Sequence, residues 1–247
     1  DNVGGLAGVN SLLVVQCHAD CTVAGTNKVG GLVGYNSAAV IRKCYATGCV
    51  TGKSDVGGFV GLNSGNSEVT ECYAAGSVTG DQGVGGLVGY NYQNGTISNC
   101  YAMGSVVGSA GVGGLVGANY GETDSTATVT RCYAAGSVQG SAFVGGLVGD
   151  TADGGTVNNS YWDTNTSGQT TSDGGTGQTT AQMKQQATFA GWDFVNVWRI
   201  EENVTYPCFA MPPWMATPAM RLGMSVVLRW YSASNHLYTL HYSTNLQ

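Results

Sequence analysis

Apolar residues in this chain follow neither helical spacing nor long unbroken runs. They come in short bursts bounded by Gly, Asn or Ser, and many are β-branched, a pattern that predicts strands and turns. The bursts recur. Val-Gly-Gly-Leu-Val-Gly, with single substitutions, starts at Val3, Val29, Val56, Val84, Val112 and Val144, at steps of 26, 27, 28, 28 and 32 residues. A second phrase trails each copy: Cys44-Tyr45-Ala46, Cys72-Tyr73-Ala74, Cys100-Tyr101-Ala102 and Cys132-Tyr133-Ala134. Cys17-His18-Ala19 and Ser160-Tyr161-Trp162 are its altered first and last forms. Self-similarity at this period is the mark of a stacked architecture. Three short strands per unit of about 28 residues predict an all-β fold, a parallel β-helix (β-solenoid) of five to six triangular coils.

Stacking places equivalent positions above one another, so each slot becomes a column. Asn36, Asn63, Asn91 and Asn119, preceded by Asn10, form one whose amides can satisfy each other along the axis. Cys44, Cys72, Cys100 and Cys132, preceded by Cys17, form a column of small apolar thiols suited to a narrow interior. Tyr45, Tyr73, Tyr101, Tyr133 and Tyr161 form an aromatic column with hydroxyls directed to water. The tyrosine column has two readings, side-chain stacking and a platform for sugars.

The pattern changes after Val157. All 5 tryptophans and all 4 prolines lie beyond that point. Residues 163–178 read as a polar loop. Thr179-Thr180-Ala181-Gln182 has capping-box chemistry and predicts a helix running to about Ala187. Trp192, Phe194 and Trp198 are expected to cap the apolar end of the stack. Val226, Leu228 and Trp230, then Leu237, Tyr238 and Leu240, mark two further strands separated by turn residues. The expected organisation is a solenoid over 1–162, a loop, helix and aromatic cap over 163–219, and C-terminal strands over 220–247.

Charge narrows the function classes. Only 10% of residues are charged and the net charge is −6, so no basic stripe exists for nucleic acid or anionic lipid. No apolar stretch approaches the ~20 residues of a membrane-spanning helix. Low charge with abundant Gly, Ser, Thr and Asn suits a secreted or cell-surface protein. Of the 8 cysteines, Cys21 and Cys49 stand outside the column, one coil apart, and are the candidate disulfide. The three histidines are scattered and Cys-x-x-Cys is absent, so neither a metal nor a cofactor is expected. His-Glu-x-x-His and Gly-x-Ser-x-Gly are also absent, and the reading is non-catalytic. Asp163-Thr164-Asn165-Thr166-Ser167-Gly168 imitates the opening of a calcium loop, but its twelfth position is Gly174, which leaves a structural turn.

The two phrases together resemble the GLUG repeat of bacterial surface proteins, including large adhesins and the non-catalytic part of IgA-cleaving peptidases. Tyr161-Trp162-Asp163, Thr180 to Met183, Trp192-Asp193-Phe194 and Tyr206-Pro207 are similar to the segment that closes such arrays. The resemblance implies an extracellular β-solenoid without catalytic residues. The functional expectation is a structural subunit of a surface or filament, joining copies of itself head-to-tail through its solenoid ends and C-terminal strands. An opening repeat without a visible cap motivates that expectation. The alternative is an adhesin module that binds glycan or host protein along the solenoid face.

Overall fold

Each of the first five coils contributes one short strand to each of five parallel sheets, and the sixth contributes to the first four. The computed structural model describes residues 1–210 and the backbone of Val226–Tyr231 and Leu237–Tyr242. Contacts divide the chain into Asp1–Phe209 and Ala210–Gln247. In the third coil the five strands are Ser54–Gly57, Val60–Ser64, Glu68–Thr70, Tyr73–Ala74 and Val78–Thr79. Register is one-to-one: Val56 pairs with Val29 and Val84, Asn63 with Asn36 and Asn91, and Tyr73 with Tyr45 and Tyr101. The array is a six-coil parallel β-solenoid.

Five strands replace the expected three because each unit bends twice more than its apolar bursts suggest. One bend lies inside the glycine phrase. A Cβ on Gly57 would overlap the Val60 carbonyl, and one on Gly58 the Gly86 carbonyl of the next coil. Their absence lets the chain turn between Val56 and Phe59, which face different cores. The other bend precedes the cysteine. Lys43, Glu71, Asn99 and Arg131 adopt φ of 56°, 51°, 49° and 51°, a left-handed corner formed without glycine.

The interior consists of columns. Val29, Val56, Val84 and Val112 from the first sheet face Val50, Val78, Val106 and Val138 from the fifth. Leu32, Phe59, Leu87, Leu115 and Leu147 fill the larger core with the cysteines and alanines of the second phrase. Between coils, Asn36 Nδ2 donates to Asn63 Oδ1, Asn63 to Asn91, and Asn91 to Asn119, each at 2.8 Å. The thiols act as turn elements. Sγ of Cys72 and Cys100 donates to the carbonyl two residues back at 3.1 Å, while the Cys72 amide donates to Cys100 Sγ at 3.4 Å. Burial, then the neighbouring sulfurs of Cys132 and Cys72, pushes the Cys100 thiol well up, so it stays neutral.

The expected Cys21–Cys49 disulfide is not formed; both thiols are free and exposed. Because Val23 pairs with Val50, Cys49 stands beside Thr22 and Cys21 beside Gly48. That one-residue offset turns the side chains away from each other.

The two ends of the stack differ. In the sixth coil Trp162 takes the slot that Ala134 holds in the fifth, and its ring lies over Gly146. Residues 171–178 cross beside it. Ser172 Oγ accepts from the Leu147 and Val148 amides at 3.1 and 2.9 Å, and Thr176–Gln178 extends the fourth sheet, so the stack continues beyond residue 162. At the first coil Leu6, Leu12 and Leu13 are 46%, 80% and 63% exposed.

Asp163 ties the last coil to the aromatic segment after it. Fully buried, it caps the short helix Thr164–Ser167 through the Asn165 and Thr166 amides and accepts from Thr180 Oγ1 at 2.7 Å and the Tyr206 hydroxyl at 2.6 Å. The calcium-like sequence is therefore an N-cap. The Thr179/Gln182 capping box is present, and the helix it opens ends at Met183, short of Ala187. Gln185 is already extended, and a 3-10 turn comes next over Gln186–Thr188. In the C-terminal unit Val226–Tyr231 and Leu237–Tyr242 pair antiparallel, with Val226 opposite Tyr242, Leu228 opposite Leu240 and Trp230 opposite Tyr238. Their side chains lie outside the described residues.

Candidate functional site

Two aromatic surfaces flank the solenoid. The first is the expected tyrosine column, with His18 in its first slot. The rings from His18 through Tyr45, Tyr73, Tyr101 and Tyr133 stack at centroid distances of 4.8, 4.9, 4.9 and 5.1 Å, within 10° of parallel. Trp192, Trp198 and Phe189 lie against this column, and Phe209 reaches Tyr73 and Tyr101. Phe194 packs on their margin. These residues thus cover the flank of the last coils, and Trp162 closes the interior.

That placement corrects two expectations. Tyr133 is fully buried and its hydroxyl donates to the Pro207 carbonyl at 2.7 Å instead of reaching water. Tyr101 is covered by Trp198 and Phe209. These two rings have no free face for a sugar.

The second surface borders the asparagine column. Residues immediately before and after each buried Asn stand in register in successive coils, as Tyr35 and Ser37, Leu62 and Ser64, Tyr90 and Tyr92, and Ala118 and Tyr120; Leu62 and Ser64 are buried and the others are part-exposed. Tyr90 stacks on Tyr92 at 5.2 Å and meets Tyr120 edge-on at 5.4 Å. The Tyr92 hydroxyl donates to Glu122, which also accepts from Gln93 Nε2, and the Tyr120 hydroxyl donates to Asp150. These bonds hold the Glu122 carboxyl below its ordinary range. Burial, reinforced by Tyr92 and the Asp55, Asp153 and Glu122 carboxylates, pushes the Tyr90 phenol up to about 12. Burial also raises the Asp55 carboxyl, against the pull of Lys28. Glu122, Asp124 and Asp153 line an open cleft between the residues inserted in the fifth coil and the Asp153–Gly154 turn of the sixth. The sequence signal for this surface is Gly-Tyr-Asn-Ser, Gly-Tyr-Asn-Tyr and Gly-Ala-Asn-Tyr around the asparagines, where the more regular inward column masks it.

Among the described residues, no group of three or more His, Cys, Asp or Glu could hold a metal ion, and no helix is long and apolar enough to cross a membrane. The solenoid has no interior cleft in which a nucleophile and a base converge; its columns fill it. What repeats is the coil itself, and residues 25–51, 52–79, 80–107 and 108–139, which correspond to the second to fifth coils, each match the GLUG motif. These four coils are GLUG repeats. The first and sixth coils, outside the matched residues, pair with them in the same register.

Two further likenesses accompany the GLUG match. A 55-residue stretch is 49% identical to a protein of Evansella cellulosilytica named "Putative Gly-rich membrane protein"; it covers 22% of this chain and 6% of that one. The fold is similar to the crystal structure of a Bacteroides ovatus protein titled a "putative immunoglobulin A1 protease". The TM-score is 0.60 at 19% identity, over 83% of this chain and 74% of the other. That likeness concerns the fold.

Proposed function

We propose that the protein is a non-catalytic structural component of a bacterial cell surface or its secreted material, a rigid scaffold built from GLUG coils. The observation that carries this reading is the use of the interior. Columns of Asn, Cys, Ala, Leu and Val or Ile, with Phe59 and Trp162 as large exceptions, fill the interior from coil to coil, and each serves stacking. The low charge and the names of the similar proteins support an extracellular setting. Antibodies against residues 1–209 are expected to label intact producing cells or their medium. Labelling that requires permeabilisation would sink the proposal.

Assembly belongs to the same proposal in a narrower form than end-on-end stacking of solenoids. Trp162 and Thr176–Gln178 occupy the last coil, so its interior offers no face to another coil. The strands around Val226 and Leu237 pair only with each other among the described residues, and an isolated two-stranded unit is marginal in water. Addition of these strands to a neighbour's sheet edge would complete them. Sedimentation velocity should show concentration-dependent association of the full chain and a monomer after deletion of 210–247. Monomers in both cases would refute this route.

A further inference from the structure

The second tyrosine surface contains one filled site and one empty counterpart. In the second coil the Lys28 ammonium lies over the Tyr35 ring, 4.9 Å from its centroid. First-sheet register aligns Lys28 with Asp55, Gly83, Gly111 and Phe143 in the following coils. Second-sheet register aligns Tyr35 with Leu62, Tyr90 and Ala118. The Lys28/Tyr35 pair therefore recurs two coils later as Gly83/Tyr90, the ring without its amine. Among the described residues no Lys or Arg covers Tyr90.

The surroundings of Tyr90 favour a cation. Gly83 opens space there: a Cβ built on it would meet Asp55 first, Oδ1 at 3.4 Å and backbone N at 3.6 Å, both ordinary contacts. Asp55 stands next to Gly83 in the first sheet, and the charges of Asp55, Asp153 and Glu122 all help push the Tyr90 phenol up. The faces of aromatic rings attract ammonium and guanidinium groups, and the attraction grows where water is partly excluded. A neutral pyranose could use the rings but would leave these carboxylates without a countercharge.

We propose that Tyr90, with Asp55 and Glu122, binds an organic cation, an alkylammonium or guanidinium group, in the space above Gly83. The bound group takes the place that the Lys28 side chain takes over Tyr35. Its source is either a small amine or a Lys or Arg side chain of another protein.

The test is an NMR titration of the full chain carrying ring-labelled tyrosine, at constant ionic strength. n-Butylammonium should shift the Tyr90 and Tyr92 signals saturably with a Kd on the order of millimolar, and n-pentanol should not. A lysine-containing pentapeptide binding at least tenfold tighter would assign the source to protein, and equal binding would assign it to small amines. Tyr90→Leu, which copies the neighbouring coil's Leu62, should weaken the Tyr92 response about tenfold. Gly83→Lys, which supplies its own ammonium as Lys28 does at φ 51°, should abolish it. Thermal midpoints of both variants report on the fold, and Tyr90→Leu alone suffices if Gly83→Lys does not fold. The proposal is overturned if n-butylammonium gives no saturable shift or n-pentanol gives the same one. Binding that survives Tyr90→Leu, or a response to chitotetraose in place of the ammonium, would overturn it equally.

Discussion

Asn91→Ala is expected to lower stability by about 3–5 kcal/mol, far more than the side chain's size suggests. Asn91 accepts from Asn63 Nδ2 and donates to Asn119 Oδ1, both at 2.8 Å, and donates again to the Gly95 carbonyl at 2.9 Å. Asn63 and Asn119 are fully buried, so truncation leaves groups on two coils without partners and without water. Each such group costs about 1–3 kcal/mol. Urea denaturation of the full chain gives the value, and a loss under 1 kcal/mol would mean that the column is a consequence of stacking and not a support for it. Asn91→Asp sharpens the test. Its carboxylate can accept from Asn63 but cannot donate to Asn119, whereas the protonated acid can. Burial among oxygens raises the folded pKa above the unfolded value of about 3.9. The stability of this variant relative to wild type should therefore be greatest below pH 4 and fall as pH rises through the folded pKa. A pH-independent difference would show that water has entered the column.

Trp162→Ala should cost a similar amount, about 3–5 kcal/mol, with a different spatial signature. Trp162 is the large residue at the end of a column of alanines, 6% exposed, and its removal uncovers Leu147, Val148 and Ala134. Hydrogen exchange should accelerate first in the sixth coil, since each coil of a solenoid leans mainly on its neighbours. Trp162→Phe should stay within about 1 kcal/mol of wild type. It keeps a ring in the slot and removes an indole N–H that is buried without a partner, which offsets the smaller volume. Equal losses for the Ala and Phe variants would show that the indole has a specific contact and does not merely fill the opening. Uniform acceleration across all coils would argue against Trp162 as a local seal.

Much of this architecture is legible in the sequence because stacking converts periodicity into contact. Aligning the phrases at their steps yields the Asn, Cys and Tyr columns, and the paired positions stand in register. The strand count is not legible. Lys43, Glu71 and Arg131 make left-handed corners that their residue types do not advertise, and neighbouring coils stabilise them. Nor is the direction of the aromatic segment. Trp192 and Trp198 read as an end cap by composition, yet the Asp163 hub, bonded to Thr180 and Tyr206, folds them back along the tyrosine flank.

The sequence alone therefore determined the repeat, its register and the inward columns, since those depend on spacing along the chain. Only the tertiary structure decided which tyrosines are covered, what closes the stack and where an aromatic ring stands without its cation. Those outcomes depend on the path of segments after the last repeat and on neighbours about 28 residues apart, which share a surface only after the coils have stacked.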